Sequence, residues 1–375
     1  MVARGSFAYR RRLWAAIMGV MFLLFGYTGV LLSRCPYNIA YSKAAGRTPH
    51  PLLDAHTQGE TLTGEEPSND RGPAAGPLVV LLLSSMPRSG STLLTDLLGK
   101  IQDSVAVFEP LWLIEKTECF KDEACIQRYL AEIFSCTFSD DFENWLKGKG
   151  LFFQYFNEQA RKCLAQKGKE KDACLKAMNL RALCAATPVL VVKVVRARLA
   201  WLHNMLEDSL INLKVLHLTR DPRASLRSIA TFGWDSNPHS RCAELEDDLL
   251  TYERMRQSFP DKVLQVHYER LCLHPTEVTK DMFRFLLDNA TLPAAVTAYV
   301  QQHLLSGTSK KGTMTTFKNS SEEFQAWRFK IKEKQLMAIE AEPACQRAIR
   351  HMGHAIFGSE ASARNTSLPL ILNAA

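Results

Sequence analysis

Leu78-Val-Val-Leu-Leu-Leu-Ser-Ser-Met-Pro-Arg-Ser-Gly-Ser-Thr-Leu-Leu-Thr-Asp-Leu-Leu-Gly99 joins an unbroken apolar run to a short Ser/Gly turn and then to a segment with helical spacing. A continuous apolar run bounded by turn residues suits a strand buried on both faces. A strand, a tight turn and a helix N-terminus aim several backbone N–H groups and the positive end of the helix dipole at one point, where an oxyanion binds. Arg88 adds charge there, Gly90 allows the turn, and the hydroxyls of Ser89, Ser91 and Thr92 add donors. The same residues would also serve an ordinary strand-to-helix turn with Ser/Thr caps. A nucleotide triphosphatase would carry G-x-x-x-x-G-K-[ST], with the Lys on the outer phosphates and the hydroxyl on magnesium. This loop has neither that glycine spacing nor that lysine, so it suits a phosphate-like group bound without a metal.

Outward from this stretch, apolar runs recur at 105–108, 189–195, 213–218 and 263–266, separated by segments of helical period. That alternation predicts an α/β domain, a mostly parallel sheet flanked by helices. Asp221-Pro222 places a cap and a first-turn proline at a helix start, and 276–287 and 293–304 also read as helices. The Cys-rich stretch from Cys119 to Cys184 reads as a helical insertion between strands. Toward the N-terminus, residues 34–76 have stem-like composition. Before them, residues 13–33 (LWAAIMGVMFLLFGYTGVLLS) carry no charge over a length that spans a hydrocarbon core. Arg10, Arg11 and Arg12 precede that run and no acid occurs in the first 33 residues, so residues 1–12 are expected in the cytosol and the rest in a lumen. A cleaved signal peptide is the alternative. The expected organisation is a tail at 1–12, a transmembrane anchor at 13–33, a stem at 34–76, a lumenal domain at 77–358 and a C-terminal tail at 359–375.

With 46 Lys plus Arg against 39 Asp plus Glu over 375 residues, the net charge of +7 is a small surplus. That excludes a general nucleic-acid binder, and 46% hydrophobic content excludes a disordered or fibrous chain. Asn289, Asn319 and Asn365 open glycosylation sequons. Of the ten cysteines, six (119, 125, 136, 163, 174 and 184) cluster in one segment. With no Cys-x-x-Cys and no His nearby, structural disulfides are favoured over zinc.

The fourth apolar run leads into Val215-Leu-His-Leu-Thr-Arg-Asp-Pro-Arg-Ala-Ser-Leu-Arg-Ser228. Arg220 at the strand end and Ser228 two turns into the helix could converge on one anion, or Asp221 could cap the helix and pair with Arg220. Glu109 follows the second strand on the same sheet edge as the loop. It suits a base with Phe108, Leu111 and Trp112 around it, or a structural partner of Arg88 or a backbone amide. Lys193 lies inside an apolar strand and needs an anion: a bound group, with Arg196 in support, or a neighbouring carboxylate. His217 is expected to pack.

The loop at 84–92 resembles the 5′-phosphosulfate loop of sulfotransferases. Those enzymes have a P-loop-like α/β fold and take sulfate from 3′-phosphoadenosine 5′-phosphosulfate (PAPS). The resemblance implies that Arg220 and Ser228 hold the 3′-phosphate of PAPS. Val107-Phe-Glu-Pro-Leu-Trp112, Val266-His-Tyr-Glu269, Lys318-Asn-Ser and Trp327-Arg-Phe-Lys330 are similar to segments of the Golgi carbohydrate 6-O-sulfotransferases, which act on galactose, N-acetylgalactosamine or N-acetylglucosamine. Membrane anchor, stem and catalytic domain occur in the same order. By that resemblance Glu109 is the base, Lys193 assists the leaving phosphate, and the loop carrying Lys311, Gly312 and Thr313 closes over the nucleotide, although such a loop could equally be a solvated turn. Glu269 is expected to fix local structure, and Trp327 and Arg328 to serve as core and salt bridge. Pro87 and Thr92 depart from the membrane-enzyme pattern. The expected partners are a glycan or proteoglycan acceptor and the Golgi membrane, with no metal and no nucleic acid; a homodimer is admitted. Arg88 and Arg220 are expected in two separated pockets gripping opposite ends of the nucleotide. The rival readings are a magnesium-dependent kinase-like enzyme and an inactive lumenal glycan-binding protein.

Overall fold

The computed structural model describes residues 76–148, 158–305 and 320–372. The apolar run at 13–33, the stem, and Lys311, Gly312, Thr313, Lys318 and Asn319 lie outside the described residues. Among the described residues no helix is long and apolar enough to cross a membrane.

Each expected strand forms: β1 (Leu78–Ser84), β2 (Val105–Phe108), β3 (Val189–Val194), β4 (Leu213–Thr219) and β5 (Val263–His267). They make one sheet in the order β2-β3-β1-β4-β5, and every pairing is parallel. The central strand is apolar throughout because both of its faces are covered. Val80 and Leu82 enter one core and Val79, Leu81 and Leu83 the other, the burial that parallel sheets require. Helix α1 (Ser91–Leu98) packs on the first face through Leu93, Leu94, Leu97 and Leu98.

The Cys-rich insertion is helical, as expected. It includes Glu123–Phe134, α2 (Asp140–Gly148), Gly168–Ala177 and Leu180–Ala185, and it covers the second face through Ile126, Leu130, Phe134 and Phe142. Its six cysteines pair among themselves as Cys119–Cys125, Cys136–Cys184 and Cys163–Cys174.

Helix α3 (Pro222–Ala230) follows β4, α4 (Pro238–Ser258) precedes β5, and α5 (Tyr268–Leu273) follows β5. Cys242 on α4 is bonded to Cys345 on the helix Pro343–His351. The expected helix at 276–287 spans Pro275–Leu287, while the one at 293–304 splits into Ala294–Val300 and a π turn at Gln301–Leu305.

Residues 359–372 bury Ala363 and Leu370 in the first core. They also hold Arg328, whose guanidinium donates to the carbonyls of Ala363, Asn365 and Leu368. The salt bridge expected of Arg328 is thus replaced by main-chain acceptors, which suit a buried planar fork of donors. Trp327 is core, as expected.

Candidate active site

In a parallel sheet the strand C-termini share one edge, and ligands bind there. The ends of β1, β2, β3 and β4 deliver the loop 85–90, Glu109, Lys193 and Arg220 to a single cleft of about 1240 Å³.

The loop after β1 is curled by two left-handed residues, Arg88 (φ 68°) and Gly90 (φ 96°). It is closed by two hydroxyls, since Ser84 Oγ and Ser89 Oγ each donate to the carbonyl of Met86 at 2.7 Å. Ser89 therefore corrects its sequence assignment. Its hydroxyl is committed to the turn and buried, whereas Gly90, Ser91 and Thr92 line the cleft.

Two arginines separate in the segment Arg220-Asp-Pro-Arg223. Asp221 caps α3 by accepting from Arg223 N at 2.9 Å and pairs with the Arg223 guanidinium, Nη2 to Oδ2 at 2.7 Å. Arg223 also reaches Glu340 at 2.6 Å and is fully buried. Despite that burial, Arg223 and His354 hold the Asp221 carboxyl well below its ordinary value. Asp221 N–H donates to Glu269 at 2.9 Å, the structural role expected of Glu269. With Asp221 occupied, Arg220 turns to the cleft. It lies 4.2 Å over the Tyr268 ring and donates from Nη1 to the Arg88 carbonyl at 2.9 Å, while its buried Nε has no hydrogen-bond partner among the described residues.

Arg88 in turn donates from Nε to Ser228 Oγ at 3.2 Å and lies 4.5 Å over the Phe232 ring. Arg88 and Arg220 are thus neighbours in one hydrogen-bonded cluster, not the walls of two separated pockets. Burial, and then the Arg220 charge, push the Arg88 guanidinium below its ordinary value, which marks a place where an anion would be stabilised.

Across the cleft, Phe108 and Lys193 are in register on β2 and β3, and the Glu109 N–H donates to the Lys193 carbonyl at 2.8 Å. Glu109 itself is left-handed (φ 57°), a strained conformation for a residue with a Cβ. That turn brings its carboxylate to the Lys193 ammonium, to Arg196 Nη1 at 2.9 Å and to the Val195 N–H at 3.3 Å. Glu109 is therefore paired with two cations, Lys193 and Arg196, and of the structural partners expected for it a backbone amide is present in the Val195 N–H. Burial pushes the Lys193 ammonium down, and Glu109 is the group that raises it back.

Sequence reasoning passed over Tyr268 and Phe232, the aromatic faces beneath the two arginines. Tyr268 lies in the quoted 266–269 segment beside the glutamate that drew the attention. His217 packs as expected. It is buried, with Ser85 Oγ 2.8 Å from Nε2, and burial pushes its imidazole down to about 3. The unfolded chain would take that proton near pH 6.5, so the group's contribution to stability is present above about pH 6.5 and is lost as pH falls. Between pH 6 and pH 4 the wild type should lose about 1.4 kcal/mol per pH unit more than His217→Asn. Denaturant unfolding at each pH measures this, and parallel profiles for the two proteins would mean that His217 titrates normally in the fold.

A profile of the sulfotransferase family matches residues 81–287. The chain belongs to that family. As a sulfotransferase it is an enzyme, similar at 26% identity to carbohydrate sulfotransferase 3 of Rattus norvegicus over 86% of this chain and 76% of the relative. Carbohydrate sulfotransferase 1 of Homo sapiens is 23% identical over 78% of this chain and 83% of its own. The sulfotransferase domain of the Synechococcus PCC 7002 olefin synthase aligns with a TM-score of 0.38 at 16% identity, over 68% of this chain and 90% of that one.

In this sulfotransferase the glycine of the loop after β1 is fixed twice over. A Cβ at Gly90 would meet the Tyr268 ring at 2.5 Å, and its φ is 96°. Gly90→Ala should lower stability by about 1–3 kcal/mol and weaken nucleotide binding. Thermal unfolding and titration with 3′-phosphoadenosine 5′-phosphate (PAP) measure both effects, and an unchanged melting temperature would contradict the close packing.

Proposed function

We propose that this sulfotransferase moves the sulfuryl group of PAPS to a sugar hydroxyl, the 6-position of a galactose, N-acetylgalactosamine or N-acetylglucosamine residue in a glycan or proteoglycan, from a lumenal domain anchored in the Golgi membrane by residues 13–33. The carbohydrate sulfotransferases among its relatives support the acceptor class. The observation that carries the reading is the convergence of Arg88, Arg220 and the left-handed loop on one side of a cleft, with Glu109 and Lys193 on the other.

The residues fit the donor: the cluster holds a buried, unpartnered Arg220 Nε beside a loop and helix N-terminus suited to an anion. Arg220 and Ser228 would hold the 3′-phosphate, while Arg88 with the backbone at Gly90, Ser91 and Thr92 would hold the 5′-phosphate. Lys311, Gly312 and Thr313 complete the proposed nucleotide contacts. PAPS supplies a sulfuryl group joined to a good leaving phosphate. The acceptor oxygen forms a bond to sulfur as the bond from sulfur to the phosphate oxygen breaks, and the hydroxyl proton passes to Glu109. Lys193, turning from Glu109 toward the leaving oxygen, would stabilise the developing charge there and release the carboxylate to act as base.

The test is sulfate transfer by the full-length chain from labelled PAPS to a panel of chondroitin, keratan and mucin-type glycans, with and without a chelator. Label is expected in carbohydrate in both cases. Transfer from ATP that stops in chelator would favour the kinase-like reading, and PAP binding with no transfer would favour the inactive glycan-binding protein.

A further inference from the structure

The cleft has a second wall that the nucleotide does not need. Trp112 ends the short 3₁₀ turn that begins after Glu109, and its N–H donates to the Glu109 carbonyl at 3.0 Å. Its position is therefore tied to the proposed base. The indole is 51% exposed, yet it is held from behind by a relay of rings. Trp112 meets Trp145 edge-on at 6.3 Å, Trp145 stacks on Phe142 at 5.6 Å, and Phe142 packs against Phe138 at 5.1 Å. Phe138 and Phe142 are buried, so the relay runs from the core under α2 to the cleft. A rigid, half-exposed aromatic in a concave site is what a ligand with an apolar face requires. Arg196 and Glu115 line the same cleft and are paired with each other, Nε to Oε1 at 3.0 Å.

We infer that Trp112 is the stacking platform for the acceptor sugar and that it selects a galacto-configured ring, galactose or N-acetylgalactosamine, over a gluco-configured one. In the galacto configuration the axial hydroxyl at C4 leaves the hydrogens of C3, C4 and C5 on one face, an apolar patch that fits an indole. In a gluco ring these hydrogens alternate between the faces. C6 leaves the ring from C5, at the edge of that patch, so a ring stacked on Trp112 keeps its 6-hydroxyl clear of the indole, free to face Glu109 in the same cleft. The Cys-rich insertion then has a function, because its helix α2 supplies Phe142 and Trp145 as the backing of the platform.

This platform presupposes the carbohydrate acceptor proposed above. The test uses the full-length chain with labelled PAPS, benzyl β-galactoside and benzyl β-glucoside, their N-acetylhexosamine counterparts, and the variants Trp112→Ala and Trp112→Phe. In Trp112→Ala the KM for the galactoside should rise about 10-fold or more, with PAP affinity unchanged. In Trp112→Phe it should stay within about 3-fold of wild type, and the wild type should prefer each galacto acceptor over its gluco counterpart. An unchanged acceptor KM in Trp112→Ala, equal turnover of the two configurations, or a fall in PAP affinity would each overturn the inference. PAP binding with no sugar sulfated would overturn the platform and leave the nucleotide site standing. Absence of PAP binding by the wild type would overturn the sulfotransferase reading of the cleft and the platform with it.

Discussion

Glu109→Gln should bind PAP at least as tightly as the wild type and transfer sulfate about 100-fold or more slowly, the effect of losing a positioned general base. Gln keeps the shape and an oxygen for the Val195 N–H, so the left-handed turn at residue 109 has no new reason to relax. What it loses is the ability to take a proton and the charge that holds Lys193 and Arg196. The direction of the binding effect follows from competition. In the free enzyme Lys193 is neutralised by Glu109; without that carboxylate it is available to the phosphate of PAP, and affinity should rise if it changes. A kinetic experiment with separate kcat and PAP Kd resolves the two roles. Full turnover in Glu109→Gln would reduce Glu109 to a structural anion for two cations. A loss of PAP binding together with a lower melting temperature would say that the pair holds the sheet edge together.

The features legible in the sequence were those fixed by local rules. Strands covered on both faces are predominantly apolar, and each of the five was visible as such a run, with Lys193, His217 and Gln265 among the polar exceptions. A Pro after Asp at a helix start has one good structural use, and Asp221 has it. The pairing of side chains across the sheet edge was not legible, because it depends on register and turn geometry. Glu109 was legible as a base candidate, with Arg88 or a backbone amide as alternative partners, but the register of Phe108 with Lys193 and the left-handed turn at residue 109 hand it to Lys193 and Arg196 as well as to the Val195 amide. Ser89 looked like an anion donor by composition, but Met86 O lies within its reach and takes the hydroxyl. Arg220 and Arg223 are equivalent as letters. They differ because one turn of α3 carries residue 223 into the core beside Glu340 while residue 220 remains at the end of β4. Disulfide pairing within the insertion was likewise beyond a reading of spacing alone.

That divergence makes the second large effect testable within one motif. Arg220→Ala should lower PAP affinity about 30-fold or more, equivalent to about 2 kcal/mol for a lost charge-assisted contact, while leaving the fold intact. Among the described residues Arg220 forms no ion pair with a carboxylate that its removal would orphan. It crowds Arg88, and its loss relieves that repulsion while uncovering the Tyr268 face and removing one donor from the Arg88 carbonyl. Stability should therefore hold or rise slightly. Arg223→Ala should do the reverse. It strands the buried carboxylates of Asp221 and Glu340 and should cost about 3–5 kcal/mol of stability, as expected when one partner of a buried ion pair is removed. Denaturant unfolding and PAP titration on both variants separate the two arginines. If Arg220→Ala bound PAP like the wild type, the cluster at the ends of β1 and β4 would not be the nucleotide site. If it unfolded as Arg223→Ala does, Arg220 would belong to the scaffold.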